Sequence, residues 1–163
     1  MKHHVILATD HAGFPLKEAV KKFLQDKGYT VDDLGAHTLV PDDDYPRYMV
    51  KAGLKIAEDS KGELKAIIFG WSGQGEAMVA NRFPGVRAAV YYGGGGEIKG
   101  GMTEKGAELL RLSREHNDAN VLSIGAHFVT EVEAKEVVTI WLGTAFSGEE
   151  RHSRRIQEMD SIS

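Results

Sequence analysis

The sequence predicts an α/β fold with three layers, α/β/α, in which helices cover both faces of a five-stranded parallel sheet in a Rossmann-like or flavodoxin-like arrangement. Two observations predict this class. Short apolar runs alternate along the chain with segments of helical period, which is typical of successive βαβ units. The 163 residues, 42% of them hydrophobic, have the size and composition of one domain with its own core. We therefore expect a single domain over residues 1–163, with a C-terminal helical extension from about residue 146.

Five short apolar runs predict the strands. The first has only four apolar residues before Thr9, too few for a signal peptide or a membrane helix and enough for a buried strand. The predicted strands are Val5–Thr9, Thr30–Leu34, Ala66–Phe69, Ala88–Tyr91 and Val121–Ile124.

The segments between these runs carry apolar residues at helical spacing. In the first segment Leu16, Val20 and Leu24 share one face, and Lys27-Gly28 supplies a terminating cation and glycine. The later predicted helices are Tyr45–Glu58, Glu76–Arg82, Glu104–Glu115, one marked by Val132, Val137, Val138, Trp141 and Leu142, and a short sixth around Ser153–Met159.

Composition excludes several classes of function. Twenty basic and 24 acidic residues give a net charge of −4, which offers no general electrostatic reason to bind nucleic acid. No apolar run is long enough for a membrane span. The absence of cysteine excludes disulfides, thiolate metal sites and a cysteine base, and the simplest location for such a chain is the cytoplasm.

In a doubly wound parallel sheet, ligands bind beyond the carboxyl ends of the strands. Asp10 and His11 directly follow the first strand, where a carboxylate and an imidazole can handle the hydroxyls and protons of a ligand. The alternative is structural, with Asp10 capping a helix and His11 facing solvent.

The turn after the third strand, Gly70-Trp71-Ser72-Gly73-Gln74-Gly75-Glu76, alternates glycine with other residues. Such a turn at a helix start exposes backbone amides that can hold a phosphate or a developing oxyanion. It is not a Walker loop, because no Lys-Ser/Thr follows, and it follows the wrong strand for a dinucleotide fingerprint. Glu76 also gains from the helix dipole on structural grounds alone.

Polar residues also gather later in the chain. His116 and Asn117 lie between the fourth helix and the fifth strand, where His116 is either functional or a partner of the helix dipole. Arg151 and Arg155 are four residues apart and share a helix face that suits a phosphate, the alternative being a solvated basic helix end.

These pieces together resemble the B-type ribose-5-phosphate isomerase family, which includes galactose-6-phosphate isomerases. The resemblance covers nearly the whole chain in order. The matching stretches are Asp10–Phe14 with Leu16-Lys17, Asp44-Tyr45-Pro46, Gly70–Gly75 with Ala80-Asn81-Arg82, Gly85–Ala89, Arg114–Leu122 with Gly125, and Phe146 through Arg155.

The resemblance implies an aldose–ketose isomerase that acts on a phosphorylated sugar through an enediolate, without metal or organic cofactor. Many members use a cysteine base on the strand-three loop, where this chain has Gly70. A second subgroup carries Gly-Gly-Ser-Gly-x-Gly-Glu and uses the glutamate. Ser72, Gly73, Gly75 and Glu76 match that subgroup, which makes Glu76 the expected base, with Ser72 and the amides of the turn holding the enediolate oxygen.

The same resemblance assigns the remaining roles. It implies that His116 and Asn117 open the sugar ring and hold its oxygens, and that Asp10 binds near the ring-opening hydroxyl. It places His11, Tyr45, Arg151 and Arg155 around the phosphate. It also implies a homodimer or homotetramer whose sites are shared across the interface.

Three departures from the family pattern bear on the identity of the sugar. His127 stands where the family has a phosphate-binding arginine, and Trp71 replaces a glycine. The stretch Tyr91–Gly101, with six glycines among eleven residues, predicts a mobile loop and a longer connection after the fourth strand. These departures motivate one alternative, a sugar-phosphate binder without catalysis. A receiver domain is disfavoured, because strand one offers a single acid and strand three ends without an acceptor aspartate.

Overall fold

The computed structural model describes residues 4–93 and 102–162. In that part of the chain, five strands form one sheet whose neighbours all run parallel, which confirms the predicted class. Every strand begins and ends within one residue of its predicted apolar run. The strands are β1 (His4–Thr9), β2 (Thr30–Asp33), β3 (Lys65–Gly70), β4 (Ala88–Tyr91) and β5 (Val121–Gly125). Most of the predicted glycine-rich loop, residues 94–101, lies outside the described residues.

The helices are α1 (Phe14–Asp26), α2 (Pro46–Ala57), α3 (Gln74–Ala80), α4 (Glu104–Glu115), α5 (Glu131–Gly143) and α6 (Glu150–Asp160). The largest differences from the predicted bounds are in α3 and α6. Helix α3 starts two residues before the predicted start, because Gly73 adopts a left-handed conformation with φ of 77° and ends the turn there. Helix α6 also starts earlier than predicted, at Glu150, so that Arg151 and Arg155 both lie on it.

The strand order is β2-β1-β3-β5-β4. The chain moves outward from β1 to β2 and then crosses back to β3 on the other side of β1, which makes the carboxyl ends of β1 and β3 the switch point where ligands bind in such sheets. The order differs from the flavodoxin order 2-1-3-4-5 in the exchange of the last two strands. This exchange places the segment after β5 directly beside the segment after β3.

Two apolar layers hold the helices to the sheet. Val5 and Leu7 of β1 face a layer formed with α1, α4 and α5, whereas Ile6 and Ala8 face a layer formed with α2 and α3. This alternation is the period of two that a strand covered on both faces requires. Among the described helices, none is long and apolar enough to cross a membrane.

Candidate functional site

The turn between β3 and α3 is pressed against the end of β5. Ser123 donates a hydrogen bond from Oγ to the carbonyl of Gly73 at 2.7 Å. A Cβ at Gly73 would lie 3.1 Å from the amide nitrogen of Gly125, and one at Gly125 would lie 2.8 Å from the carbonyl oxygen of Ser72. Ser72 itself accepts a hydrogen bond on Oγ from the Gln74 amide at 3.3 Å. The glycines are therefore needed for close packing, and the first amides of α3, which lack carbonyl partners within the helix, open at this edge of the sheet.

Glu76 is in the first turn of α3 and is only 5% exposed. Its carboxyl group occupies the space beside Gly70, since a Cβ at Gly70 would lie 1.8 Å from Oε1. Burial raises the pKa of Glu76, and the nearby charge of Asp10 raises it further, against hydrogen bonds from the backbone amides of Glu76 and Gly73. A carboxyl group with a raised pKa can both accept and return a proton near neutral pH.

Asp10 and His11 lie at the carboxyl end of β1, as predicted. Asp10 is 5% exposed and accepts a hydrogen bond from the Ala12 amide at 3.0 Å, so the capping alternative describes its local role. Burial raises the pKa of Asp10 as well. His11 is partly exposed, and its Nδ1 lies 3.9 Å from the Asp10 carboxylate.

Asp43 is a member of this site that the sequence analysis did not single out. Its Oδ1 accepts hydrogen bonds from both the amide and the Nδ1 of His11, at 2.8 and 2.7 Å, and its Oδ2 accepts one from the Tyr48 hydroxyl at 2.9 Å. The hydrogen bond to Asp43 raises the pKa of His11. Asp43 belongs to a run of three acids in a polar loop, and no periodicity in that run indicates which carboxylate turns inward.

Tyr45 reaches the same edge from the start of α2. A Cβ at Gly75 would lie 2.6 Å from the Tyr45 hydroxyl oxygen, so the glycine makes room for the phenol. The Tyr45 phenol thus lies against the first turn of α3, at the residue that directly precedes Glu76.

His127 follows β5 and meets the turn after β3. Its amide donates to the Trp71 carbonyl at 3.1 Å, and its ring stacks on the Trp71 indole with centroids 4.0 Å apart and planes at 14°. The edge of Phe128 completes the group, with its ring centroid 5.0 Å from that of His127. Trp71 is 59% exposed, so the stacked pair borders the opening of the site rather than its interior.

The structure brings eight of the predicted residues together at the carboxyl edge of the sheet, and we call them the Glu76 cluster. They are Asp10, His11, Tyr45, Ser72, Gly73, Gly75, Glu76 and His127.

The other four predicted residues lie at the amino ends of the strands, and we call them the His116 cluster. They are His116, Asn117, Arg151 and Arg155.

Local contacts define that second cluster. His116 ends α4, and its ring packs on that of His152 in α6 with centroids 4.2 Å apart. The Asn117 carbonyl accepts a hydrogen bond from the Arg87 guanidinium at 2.9 Å. Arg151 pairs with Glu149 at 2.8 Å, and both side chains are more than half exposed. The length of β5 separates the two clusters by roughly 15 Å within one chain.

Three side chains at this edge could in principle bind a metal ion. Asp10, His11 and Asp43 offer ligand atoms within 4.8 Å of one another. The hydrogen bonds within this group account for its arrangement without an ion, and we assign no metal to it.

The fold and the buried carboxyl groups at this edge are typical of one class of protein, namely α/β enzymes whose ligands bind at the carboxyl ends of a parallel sheet. The model of the Ribose/Galactose Isomerase family matches residues 5–94 and 100–159. The chain belongs to this family. It is accordingly an isomerase. The family model leaves residues 95–99 unmatched, and these lie in the glycine-rich segment where the sequence predicts a longer connection than the family has.

Individual relatives agree with this assignment. The chain is 35% identical over 152 residues to ribose-5-phosphate isomerase B of Mycolicibacterium paratuberculosis, covering 93% of this chain and 86% of the relative. It is 33% identical over 159 residues to ribose-5-phosphate isomerase B of Escherichia coli, covering 97% and 95%. A crystal structure of ribose-5-phosphate isomerase B from Mycoplasma genitalium with bound ribulose 5-phosphate superposes with a TM-score of 0.85 at 31% identity, covering 98% of this chain and 95% of that one.

Proposed function

We propose that this chain interconverts ribose 5-phosphate and ribulose 5-phosphate, or a closely related pair of sugar phosphates, with Glu76 as the base. The observation that carries the proposal is the position of the Glu76 carboxyl group in the space that a side chain at residue 70 would fill. By the resemblance, residue 70 is where other members carry a cysteine base. A glycine there and a glutamate six residues later therefore put a different base in the same place.

The chemistry needs one group that moves a proton between two carbons. The Glu76 carboxylate takes the proton from C2 of the open-chain aldose. The electron pair of that C–H bond forms the C1–C2 double bond, and O1 becomes the enediolate oxygen. The same carboxyl group returns the proton to C1, O2 loses its hydroxyl proton to O1, and C2 becomes the ketose carbonyl. The raised pKa of Glu76 suits both directions of transfer.

The charge that develops on the enediolate oxygens needs hydrogen-bond donors. The Gly75 amide and the Ser72 hydroxyl lie at the same edge as Glu76 and can supply them, whereas the Gln74 amide donates to Ser72 and the amides of Gly73 and Glu76 donate to the Glu76 carboxylate. Each such donor contributes about 3 kcal/mol to a transition state in comparable oxyanion sites.

A single chain presents the two predicted halves of the site at opposite edges of its sheet. We propose that a second copy of the chain brings its His116 cluster against the Glu76 cluster of the first, in a homodimer or a homotetramer. This arrangement gives each site the imidazole of His116 for ring opening and the guanidinium groups of Arg151 and Arg155 for the phosphate. Two arginines on one helix face suit the bidentate recognition of a phosphate.

Solvent-deuterium incorporation tests the proposed base. The protein would be mixed in D₂O with ribose 5-phosphate, ribulose 5-phosphate, allose 6-phosphate or galactose 6-phosphate, and exchange at C2 of the aldose or C1 of the ketose would be followed by NMR. We expect exchange with one sugar pair and a loss of about 10²–10⁴-fold in Glu76→Gln. Because burial raises the pKa of Glu76, we also expect the acid limb of kcat/KM to lie above the ordinary glutamate range and activity to rise with pH through it.

Glu63→Gln is the matched control, since Glu63 lies in the segment before β3, far from the catalytic edge. Exchange that survives in Glu76→Gln contradicts the assignment of the base. Binding of the sugar phosphates with no exchange in the unaltered protein would instead support a binder without catalysis.

A further inference from the structure

Asp43 and Tyr48 form a hydrogen-bonded chain that ends on His11. Asp43 is 8% exposed at its side chain, and both of its carboxylate oxygens are used, one by His11 and one by Tyr48. The same oxygen accepts from the His11 amide and from the His11 ring. Because the ring and the backbone amide of His11 share this one acceptor, the ring has little rotational freedom. The imidazole is therefore held in one orientation.

The nitrogen that remains is Nε2. Nδ1 is occupied by Asp43, and among the described residues no hydrogen bond reaches Nε2. The His11 side chain is 36% exposed, so that this free nitrogen belongs to a ring that a ligand can reach. A hydrogen bond from Nδ1–H to a carboxylate keeps the proton on Nδ1 and fixes the orientation of the ring, as in many functional histidines.

We propose that Asp43, itself held by Tyr48, is a positioning residue that orients His11 and favours the protonated ring, so that Nε2–H donates to an anionic oxygen of the substrate. This inference rests on the proposed sugar-phosphate chemistry for the identity of the substrate, but the orientation and protonation of His11 are properties of the free protein. Neither Asp43 nor Tyr48 needs to touch the substrate.

The charges that face His11 all favour the protonated ring. Asp43 lies 2.7 Å from Nδ1 and Asp10 lies 3.9 Å from it. Tyr48, from α2, bonds to Asp43, and Glu76, from α3, faces Asp10. The hydrogen bonds from His11 and Tyr48 lower the pKa of Asp43 against the opposing effect of burial, so Asp43 is ionised wherever His11 titrates.

The two neighbouring acids make the comparison specific. Asp42 is exposed and adopts a left-handed conformation with φ of 61°, which asparagine tolerates. Asp44 is exposed and pairs with the exposed Arg47 at 3.2 Å. Asp42→Asn therefore removes the same charge from the same loop without touching His11.

The first measurement is the titration of His11 by NMR in the full chain, assigned by comparison with His11→Asn. We expect His11 to lose its proton at a lower pH in Asp43→Asn than in the unaltered protein, and Asp42→Asn to leave that titration in place. Tyr48→Phe leaves the charge of Asp43 in place, so it should change this titration by less than Asp43→Asn does. An unchanged His11 titration in Asp43→Asn overturns the proposal, whatever the enzyme's substrate proves to be.

The second measurement is steady-state kinetics with the sugar phosphate that the exchange experiment identifies, alongside binding of inorganic phosphate. We expect Asp43→Asn to raise KM about tenfold at neutral pH with little change in kcat, and to weaken phosphate binding similarly. Because His11 regains its proton as pH falls, the ratio of kcat/KM between variant and unaltered protein should recover toward one at low pH. This ratio cancels the ionisation of the substrate itself.

A merely structural role for Asp43 predicts a different pattern. It would lower kcat and kcat/KM together at every pH and leave no recovery on acidification, which would overturn the proposal. If Asp43→Asn fails to fold, Tyr48→Phe carries the same test, and an unshifted His11 in that variant counts against the hydrogen-bonded chain. An absence of exchange in the unaltered protein, together with the expected shift of the His11 titration in Asp43→Asn, would contradict the proposed function while leaving the positioning role intact.

Discussion

The Glu76 cluster and the His116 cluster are built in opposite ways. In the first, the carboxyl groups are buried and bonded, with Asp10 and Glu76 each 5% exposed. In the second, the guanidinium groups stand on a surface helix, and the Arg151 side chain is 56% exposed. Proton transfer needs a base fixed in position before substrate arrives, whereas long cationic side chains can close on a phosphate once it is bound. In the proposed site, the buried edge therefore supplies the base, and the exposed edge supplies the phosphate-binding arginines beside His116.

The largest effect should come from recombining the two clusters. Glu76→Gln and His116→Ala each remove a different half of the proposed site, and we expect each variant alone to lose at least about 10²-fold in turnover. In a mixed dimer, one of the two shared sites contains neither substitution. Refolding the two variants together should therefore restore activity to about a quarter of the unaltered level, because half of the dimers are mixed and each has one intact site.

Each variant refolded alone is the control for this mixture. Activity that stays at the sum of the two variants would show that the clusters do not share a site, and the two edges would then have to be explained separately.

A smaller loss of activity is expected from a substitution at Gly70, which leaves room for the Glu76 carboxyl group. In Gly70→Ala the new Cβ would lie 1.8 Å from Oε1 of Glu76, so the carboxyl group must move. A displacement of about 1 Å costs a catalytic group roughly 10²-fold, and we expect that loss in kcat measured by isomerisation kinetics. Gly143→Ala is the control, because a Cβ at Gly143 meets nothing within 4 Å.

The same position allows the base to be exchanged. Gly70→Cys combined with Glu76→Ala should turn over faster than Glu76→Ala alone, because the thiol would occupy the space that the carboxyl group leaves. Equal rates for the double and single variants would count against a shared position for the two kinds of base.

The smallest effect concerns the opening of the Glu76 cluster. Trp71→Leu removes the indole that stacks on His127, and aromatic pairs of this kind contribute about 0.5–1.5 kcal/mol. We expect KM to rise by about two- to tenfold with kcat nearly unchanged, since the stack borders the opening of the Glu76 cluster and not the carboxyl group of Glu76. Trp71→Phe retains an aromatic ring for the stack, so its KM should stay close to that of the unaltered protein. A KM that is unchanged in both variants would contradict a role for His127 in binding.

The sequence alone located most of the residues of the Glu76 cluster, because they follow apolar strands in a pattern that depends only on neighbours in the chain. Asp10 and His11 follow β1, and Ser72 through Glu76 follow β3. Asp43 could not be found in this way. Its proposed role depends on a contact with His11, 32 positions away. The residues on either side, Asp42 and Asp44, are also aspartates, but they are exposed whereas Asp43 is partly buried.

What the sequence determined by itself is the set of elements: five strands, the helices between them, and the carboxyl-end turns, all of which are set by local periodicity and by glycine conformation. The tertiary structure decided which of these meet. The insertion of β5 between β3 and β4 brings His127 onto Trp71, and the packing of α6 against the end of α4 puts Arg151 and Arg155 on the same edge as His116. Strand order follows from which apolar faces pack best over the whole sheet, and that sum over distant contacts cannot be read from any one segment.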